Sequence, residues 1–193
     1  MAYNPKYKIN ILDVFKRAYA SEERELRDRL RPLLINDGLK FFYANLVRDE
    51  IIKRTTSGID KNNRSMGNYK SDGYKESLEF KIYKGGKRRV DLKLTGSMLS
   101  DIDNRNTRYT ITFNFGDQDN RDKAQGHITG RYGKHGRTSP RDFFGLPEKE
   151  EEDLLRTAIQ TQRAADPEEL DALFENLLAA NVLATTVGDD DAG

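Results

Sequence analysis

The sequence predicts an α+β fold, with helices first, two alternating strands in the middle and helices again at the end. Three observations predict it. Apolar residues recur at helical spacing from Ile9 to Ile52, "RYTITFNFG" alternates strictly, and two proline-led acidic stretches near the end of the chain return to helical spacing.

The elements follow in order. Ile9, Leu12, Phe15, Ala18, Tyr19, Leu26 and Leu30 predict a helix over residues 8–30, which Pro32 kinks or ends. Ile35, Leu39, Phe42, Leu46 and Ile52 predict a second, from about Ile35 to Thr55, with Gly38 weakening its first turn. Residues 56–73 are rich in Gly, Asn, Ser and Asp and read as a long loop, of the kind that usually carries function. A short helix is expected over 72–82, capped by Ser71 or Asp72. In "RRVDLKLTG", Val90, Leu92 and Leu94 face one way, which predicts a strand. Thr95 or Ser97 then caps a short helix carrying Met98 and Leu99. The next strand puts Tyr109, Ile111, Phe113 and Phe115 on one face. "RDKAQGHIT" predicts a helical turn or more, and residues 126–142 a glycine-rich arm. Pro147 opens a helix running to about Arg163, its glutamates matching the positive helix N-terminus. Asp166 caps and Pro167 opens the last amphipathic helix, whose apolar face holds Leu170, Leu173, Phe174, Leu177 and Leu178. This divides the chain into a main domain, 1–163, with long loops at 56–73 and 126–142, and a C-terminal helix with an acidic tail, 164–193.

Composition narrows the chemistry. In 193 residues, 36% hydrophobic against 34% charged side chains supply a modest core and leave apolar surface to be buried against partners. With no cysteine, disulfides, thiolate metal sites and cysteine nucleophiles are excluded. No signal-type apolar segment opens the chain, and no apolar run approaches the roughly 20 residues of a membrane span. Net charge is only +1, but it is unevenly placed: residues 1–141 hold 30 Lys/Arg and 18 Asp/Glu, residues 142–193 hold 3 and 14. Either the acidic end is a solubilising tail, or it lies against the basic body of a neighbour.

The stretch "GHITGRYGKHGRTSPRDFFGL" holds both histidines and invites chemical readings. His127 and His135 are eight apart with no cysteine to complete a zinc site. The aspartates of "GDQDNRD" fail the calcium-loop pattern, because Asp122 stands where glycine is obligatory. The basic glycines lack the Gly-Lys-Ser/Thr of a phosphate loop, and Ser97 lacks a nucleophile elbow and is better read as a cap. No catalytic residue, metal or cofactor is expected. Arg131, Lys134, Arg137 and Arg141 instead make a contact arm, which leads to Phe143 and Phe144 as an aromatic anchor; either both phenylalanines pack the domain's own core or one of them docks on an adjacent subunit. A neighbouring subunit, another protein and DNA phosphates all remain open as what it touches.

Four stretches taken together resemble the tail-completion and head–tail joining proteins of tailed bacteriophages, the phage virion morphogenesis family. They are "RTTSGIDKNNRSMGNYKSDGY" (Arg54 to Tyr74), "VDLKLTGSMLSDI" (Val90 to Ile102), "GHITG" (Gly126 to Gly130) and "RDFFGLPEKEEEDL" (Arg141 to Leu154), in the family's order. The resemblance covers about residues 10–160, and the helix from Asp166 looks like an addition. Ser97 replaces a commonly acidic residue. The resemblance implies a small, mostly antiparallel sheet packed by the long N-terminal helices, and a core of Val90, Leu92, Leu94, Met98, Leu99, Tyr109, Ile111, Phe113 and Phe115. It implies a structural virion protein of the neck, not an enzyme, assembled in the host cytoplasm. The chain would form a ring, expected as a hexamer, that completes the tail or joins it to the portal or connector. A tail-terminator ring is the alternative, and a non-sequence-specific DNA-binding module a further one. Subunit or partner contacts are expected at Arg131, Lys134, Arg137, Arg141, Phe143, Phe144, Leu170, Leu173, Phe174 and Leu177. Arg131, Lys134 and Arg137 are also expected near genome DNA.

Overall fold

The computed structural model describes residues 5–69, 72–85, 87, 89–92, 96–131 and 139–165. Among them a three-stranded antiparallel sheet is packed by eight α-helices, the α+β class that the sequence predicts. The sheet is built from β1 (Tyr7–Asn10), β2 (Ile102–Asn106) and β3 (Thr110–Phe115), with β3 in the centre. Its inner face follows from the period of two along β3, where Ile111, Phe113 and Phe115 are fully buried. Opposite them stand Ile9 on β1 and Ile102 on β2, and Tyr7 stacks on Phe113 at 5.7 Å between ring centres. The outer face is polar: Lys8, Thr112 and Arg105 form one row across the three strands.

The helices cover the inner face. They are α1 (Ile11–Ala18), α2 (Arg24–Leu30), α3 (Asp37–Thr56), α4 (Asp72–Glu76), α5 (Leu78–Lys84), α6 (Ser97–Ser100), α7 (Gln118–Thr129) and α8 (Glu148–Ala165). The central one is α3, capped by the Asn36 side chain, which accepts from the Leu39 N–H at 2.9 Å. It packs on β2 and β3 and on α8. Its buried hydrophobic residues are Leu39, Tyr43, Ala44, Val47 and Ile51. In turn α8 lies across α1 and α3 and buries Leu155, Ala158 and Ile159. Asp117 caps α7 by accepting from the N–H groups of Asp119 and Asn120. The calcium-like "GDQDN" is therefore a helix start.

Several expectations are corrected. Residues 8–30 are not one helix. Tyr7 and Ile9 alternate as an edge strand, Asn10 caps α1 through the Leu12 N–H at 3.1 Å, and α1 stops at Ala18. Pairing with β3 outweighs a helical spacing that Ile9 also satisfies, because it buries Ile9 against Ile111. Pro32 sits in a 3-10 turn, Arg31–Ile35, which links α2 to α3. The buried face of α3 is turned from the expected one: Ile35 is exposed, and Phe42, Leu46 and Ile52 are only partly buried. The helix expected over 72–82 is two, because Ser77 caps α5 through the Phe80 N–H and donates to the Tyr74 carbonyl. Residues 89–92 are not a strand of the sheet: Asn68 and Arg89 make an isolated bridge, and Leu92 has a left-handed φ of 48°. Val90 and Leu92 are nonetheless buried, as expected. The second strand beside β3 is β2, whose "IDNRN" has no apolar alternation to announce it. At α6, Gly96 with φ 84° holds the cap position, not Thr95 or Ser97. The arm does not begin at Gly126, since α7 continues to Thr129.

Met98, Leu99, Ile111, Phe113 and Phe115 lie in the core as expected, and Tyr109 is partly buried against it. Leu94, Thr95 and Ser71 lie outside the described residues. Substitution Phe113→Ala should lower the unfolding free energy by roughly 3–5 kcal/mol in chemical denaturation. Arg105→Ala, on the exposed polar face, should change it by less than about 0.5 kcal/mol.

Candidate functional site

The polar side chains that hold the loops form two linked knots, and the first joins α7 to the returning arm. Gly130, with φ 71°, ends α7 in a left-handed cap. The Arg131 N–H then donates to the Gly126 carbonyl at 2.9 Å. The chain comes back at Arg141, whose N–H donates to the His127 carbonyl at 2.9 Å, so both ends of the arm are held on the last turn of one helix. The Arg141 guanidinium lies 3.2 Å from His127 Nδ1, which must then be the accepting nitrogen. Burial, reinforced by that guanidinium, holds the imidazole down at about 4, so it is neutral at pH 7.

Arg141 also lies over the Tyr69 ring, at 5.9 Å from its centre. Phe80 packs edge to face on Tyr69 and Tyr74, which are tilted against each other, around this point. The Tyr69 hydroxyl donates to Asp91 at 3.3 Å, and the buried Lys84 ammonium pairs with the same carboxylate. Loop 57–69, α4, α5, the segment 89–92, α7 and Arg141 thus share one cluster of aromatic rings and charges.

The second knot joins α3 to the start of α8. Arg54 is buried in the last turn of α3. It pairs with Glu150 and donates to the Asp60 carbonyl and to Asn63 Oδ1, both at 2.7 Å. Gly58 is required here: its φ is 71°, and a Cβ would stand 2.7 Å from the Val90 carbonyl oxygen. Lys61 pairs with Asp142 at 2.8 Å, and its N–H donates to the Asp142 carbonyl. Beside it, Glu151 accepts from Tyr7 and, at 2.9 Å, from Arg17, while Tyr43 donates to the Glu151 carbonyl. Burial raises the Glu151 carboxyl above the ordinary carboxylate value, although the Tyr7 hydroxyl and Arg17 pull it down.

The expected site residues separate into three groups. Phe143 and Phe144 are 1% and 6% exposed and fill the chain's own core, with Phe144 at 4.7 Å from Phe115 between ring centres. They are an internal anchor, which corrects the expected partner contact. Arg141 is partly buried in the first knot, so its role is to root the arm. Arg131 is exposed beside it. Lys134, Arg137, Leu170, Leu173, Phe174 and Leu177 lie outside the described residues. Sequence reasoning missed Arg54, Lys84, Asp91, Glu150 and Glu151 as specific partners. For Arg54 a signal existed, since it shares the buried face of α3 with Val47 and Ile51.

As chemistry, these knots fix backbone more than they expose reactive groups. A guanidinium stands against His127 Nδ1 where a metal reading would need an electron-pair acceptor. Among the described residues no group of three or more His, Cys, Asp or Glu is arranged to hold a metal ion. Among them, too, no helix is long and apolar enough to cross a membrane. No family model, curated protein or solved structure matches this chain.

Asp91→Ala should cost roughly 3–5 kcal/mol in chemical denaturation, because it takes a carboxylate from the buried Lys84 ammonium and from the Tyr69 hydroxyl. For His127 the pH dependence has a definite sign. Unfolded, the ring takes up a proton near 6.5; folded, it does so only near 4. Its contribution is present above about pH 6.5 and is lost as pH falls toward 4, by roughly 2–3 kcal/mol. Glu151, with its raised carboxyl, slopes the other way, so the effect is read as the difference between wild type and His127→Gln. Urea midpoints at pH 7 and pH 4.5 should converge in the variant relative to wild type. An unchanged gap would remove His127 as its source.

Proposed function

We propose that this chain is a structural protein of the head–tail interface of a tailed bacteriophage. It assembles as a ring, expected as a hexamer, which completes the tail or joins it to the portal or connector. One observation supports the reading above others. The four stretches that carry the family resemblance are far apart in sequence, yet they meet in the two knots. Arg54, Lys61 and Tyr69 come from the first stretch and Asp91 from the second; His127 comes from the third, and Arg141, Asp142 and Glu150 from the fourth. That stretches carrying the family's order share a built cluster supports the reading that they belong to one architecture.

The chemistry is that of a scaffold. The knots fix Arg131 and Arg141, at the two ends of the basic stretch, and leave a polar sheet face open to solvent. The opposite charges of the two ends of the chain suit a contact in which one copy's acidic end meets the next copy's basic body. A tail-terminator ring would use the same features at the end of the tube. Non-specific DNA contact is favoured by one feature, the exposed Arg131 at the root of a basic arm, and belongs with passage of the genome through such a ring.

Deleting the chain from the phage that carries it tests the proposal. Filled heads and tails of normal length that fail to join are expected for a joining protein. Tails of uncontrolled length are expected for a terminator, because nothing then stops growth of the tube. Joined, infectious particles made without the chain would sink both.

A further inference from the structure

We infer that α5 is the docking surface for the C-terminal segment, residues 166–193, of a neighbouring copy. The inference rests on the ring reading and names the two surfaces of its contact.

The acceptor is an apolar ridge in a basic setting. One side of α5 is used inside the fold: Phe80 is buried and meets the Tyr69 and Tyr74 rings edge-on. The other side points to water. Leu78 is 73% exposed, Ile82 65% and Tyr83 58%. Leu78 and Ile82 are one helical turn apart, so they form a continuous ridge. Single exposed apolar residues are ordinary, but three of them on a helix of seven residues mark a contact surface. Residues 78–89 carry five Lys/Arg and one acidic residue, the exposed Glu79; Lys84 is buried on Asp91, and Lys81, Lys87 and Arg89 are exposed.

The occupant is chosen by complementarity. Residues 166–193 carry eight Asp/Glu and no Lys/Arg. Leu170, Leu173, Phe174, Leu177 and Leu178 repeat at the spacing of one helix face. An apolar stripe with acidic flanks is the counterpart of an apolar ridge with basic flanks.

The path of the chain favours a neighbour over the same copy. The start of α8 is tied by Arg54 and Glu150 to the loop that leads to Tyr69, on which α5 packs. Farther along, Arg156 lies over the Tyr19 ring and pairs with Glu22, beside α1 and α2. The segment therefore leaves from the far end of an 18-residue helix, roughly 27 Å long. A segment that leaves there and meets α5 of the next copy makes a head-to-tail contact, the kind that closes into a ring.

The chain has no cysteine, so single thiols can be placed at will. Full-length Ile82→Cys and Leu173→Cys proteins are mixed and treated with a short bis-maleimide. The expected result is a heterodimeric adduct at least about tenfold above that of Ile82→Cys with Arg105→Cys, on the outer sheet face. No excess over that control overturns the inference. So does an adduct formed only within one chain of the double variant, which would make the segment its own copy's cover. Duplex DNA retained by the wild type and lost in Lys87→Glu/Arg89→Glu, without any adduct, would make nucleic acid the occupant and overturn it too. Deletion of the chain from the phage separates the two levels. No adduct beside a joining or terminator phenotype defeats this contact alone. An adduct beside joined particles made without the chain defeats the neck reading and keeps the contact.

Discussion

The fold depends on the first turn of α8, where two partly or wholly buried carboxylates gather β1, α1, α3 and the loop after α3. Glu150 holds Arg54 at the end of α3, and through it the loop that carries Asp60 and Asn63. Glu151 holds Tyr7 on β1 and Arg17 on α1, and its carbonyl accepts from Tyr43 on α3. Burying a carboxylate is unfavourable unless its oxygens are matched by donors. The donors stand on three elements, β1, α1 and α3, so these contacts form only when those elements and α8 are in place, and Glu150 Oε2 is left buried without a hydrogen-bond partner. The phenylalanines just before α8 act in the same direction. Phe144 reaches Phe115 and Tyr7 as the chain turns into the helix, and so couples the sheet to the polar hub.

Much of the fold was legible in the residues, and the exceptions have physical causes. The strand at Ile111, Phe113 and Phe115 was plain because one face is buried and the other is not. Helix α8 was plain because it is long and amphipathic; α3 was plain as a long helix, although its buried face is turned from the one its apolar spacing suggests. Strand β1 was hidden because Ile9 also fits a helical period with Leu12, and only pairing with β3 decides between the two. Strand β2 was hidden because a polar edge strand needs one buried residue, Ile102, and its register comes from the hairpin closed at Thr107 and Thr110. The segment at Val90 and Leu92 misled in the opposite sense, since buried alternate residues occur there without a ladder.

The site was less legible than the fold. Glycines and histidines drew attention to residues 126–146, and the structure gives them a structural meaning. His127 is an acceptor for Arg141, Gly130 is a helix cap, and Phe143 and Phe144 are core. The acidic run after Pro147 reads from sequence as a complement to the helix dipole. In the structure Glu150 and Glu151 have named partners from about 96 to 144 residues away, which no local pattern records. What the knots leave outside is a basic arm root, a polar sheet face and the apolar ridge of α5, a set suited to contacts between copies.

The central claim is that this chain works as an assembled ring at the head–tail junction. Cryo-electron microscopy of the purified particles tests it most directly. The account predicts a closed ring there, each copy fitted by this fold, with the α5 ridge and the polar sheet face turned toward neighbouring protein or the channel. Particles whose neck and tail end hold no density for this fold would contradict it.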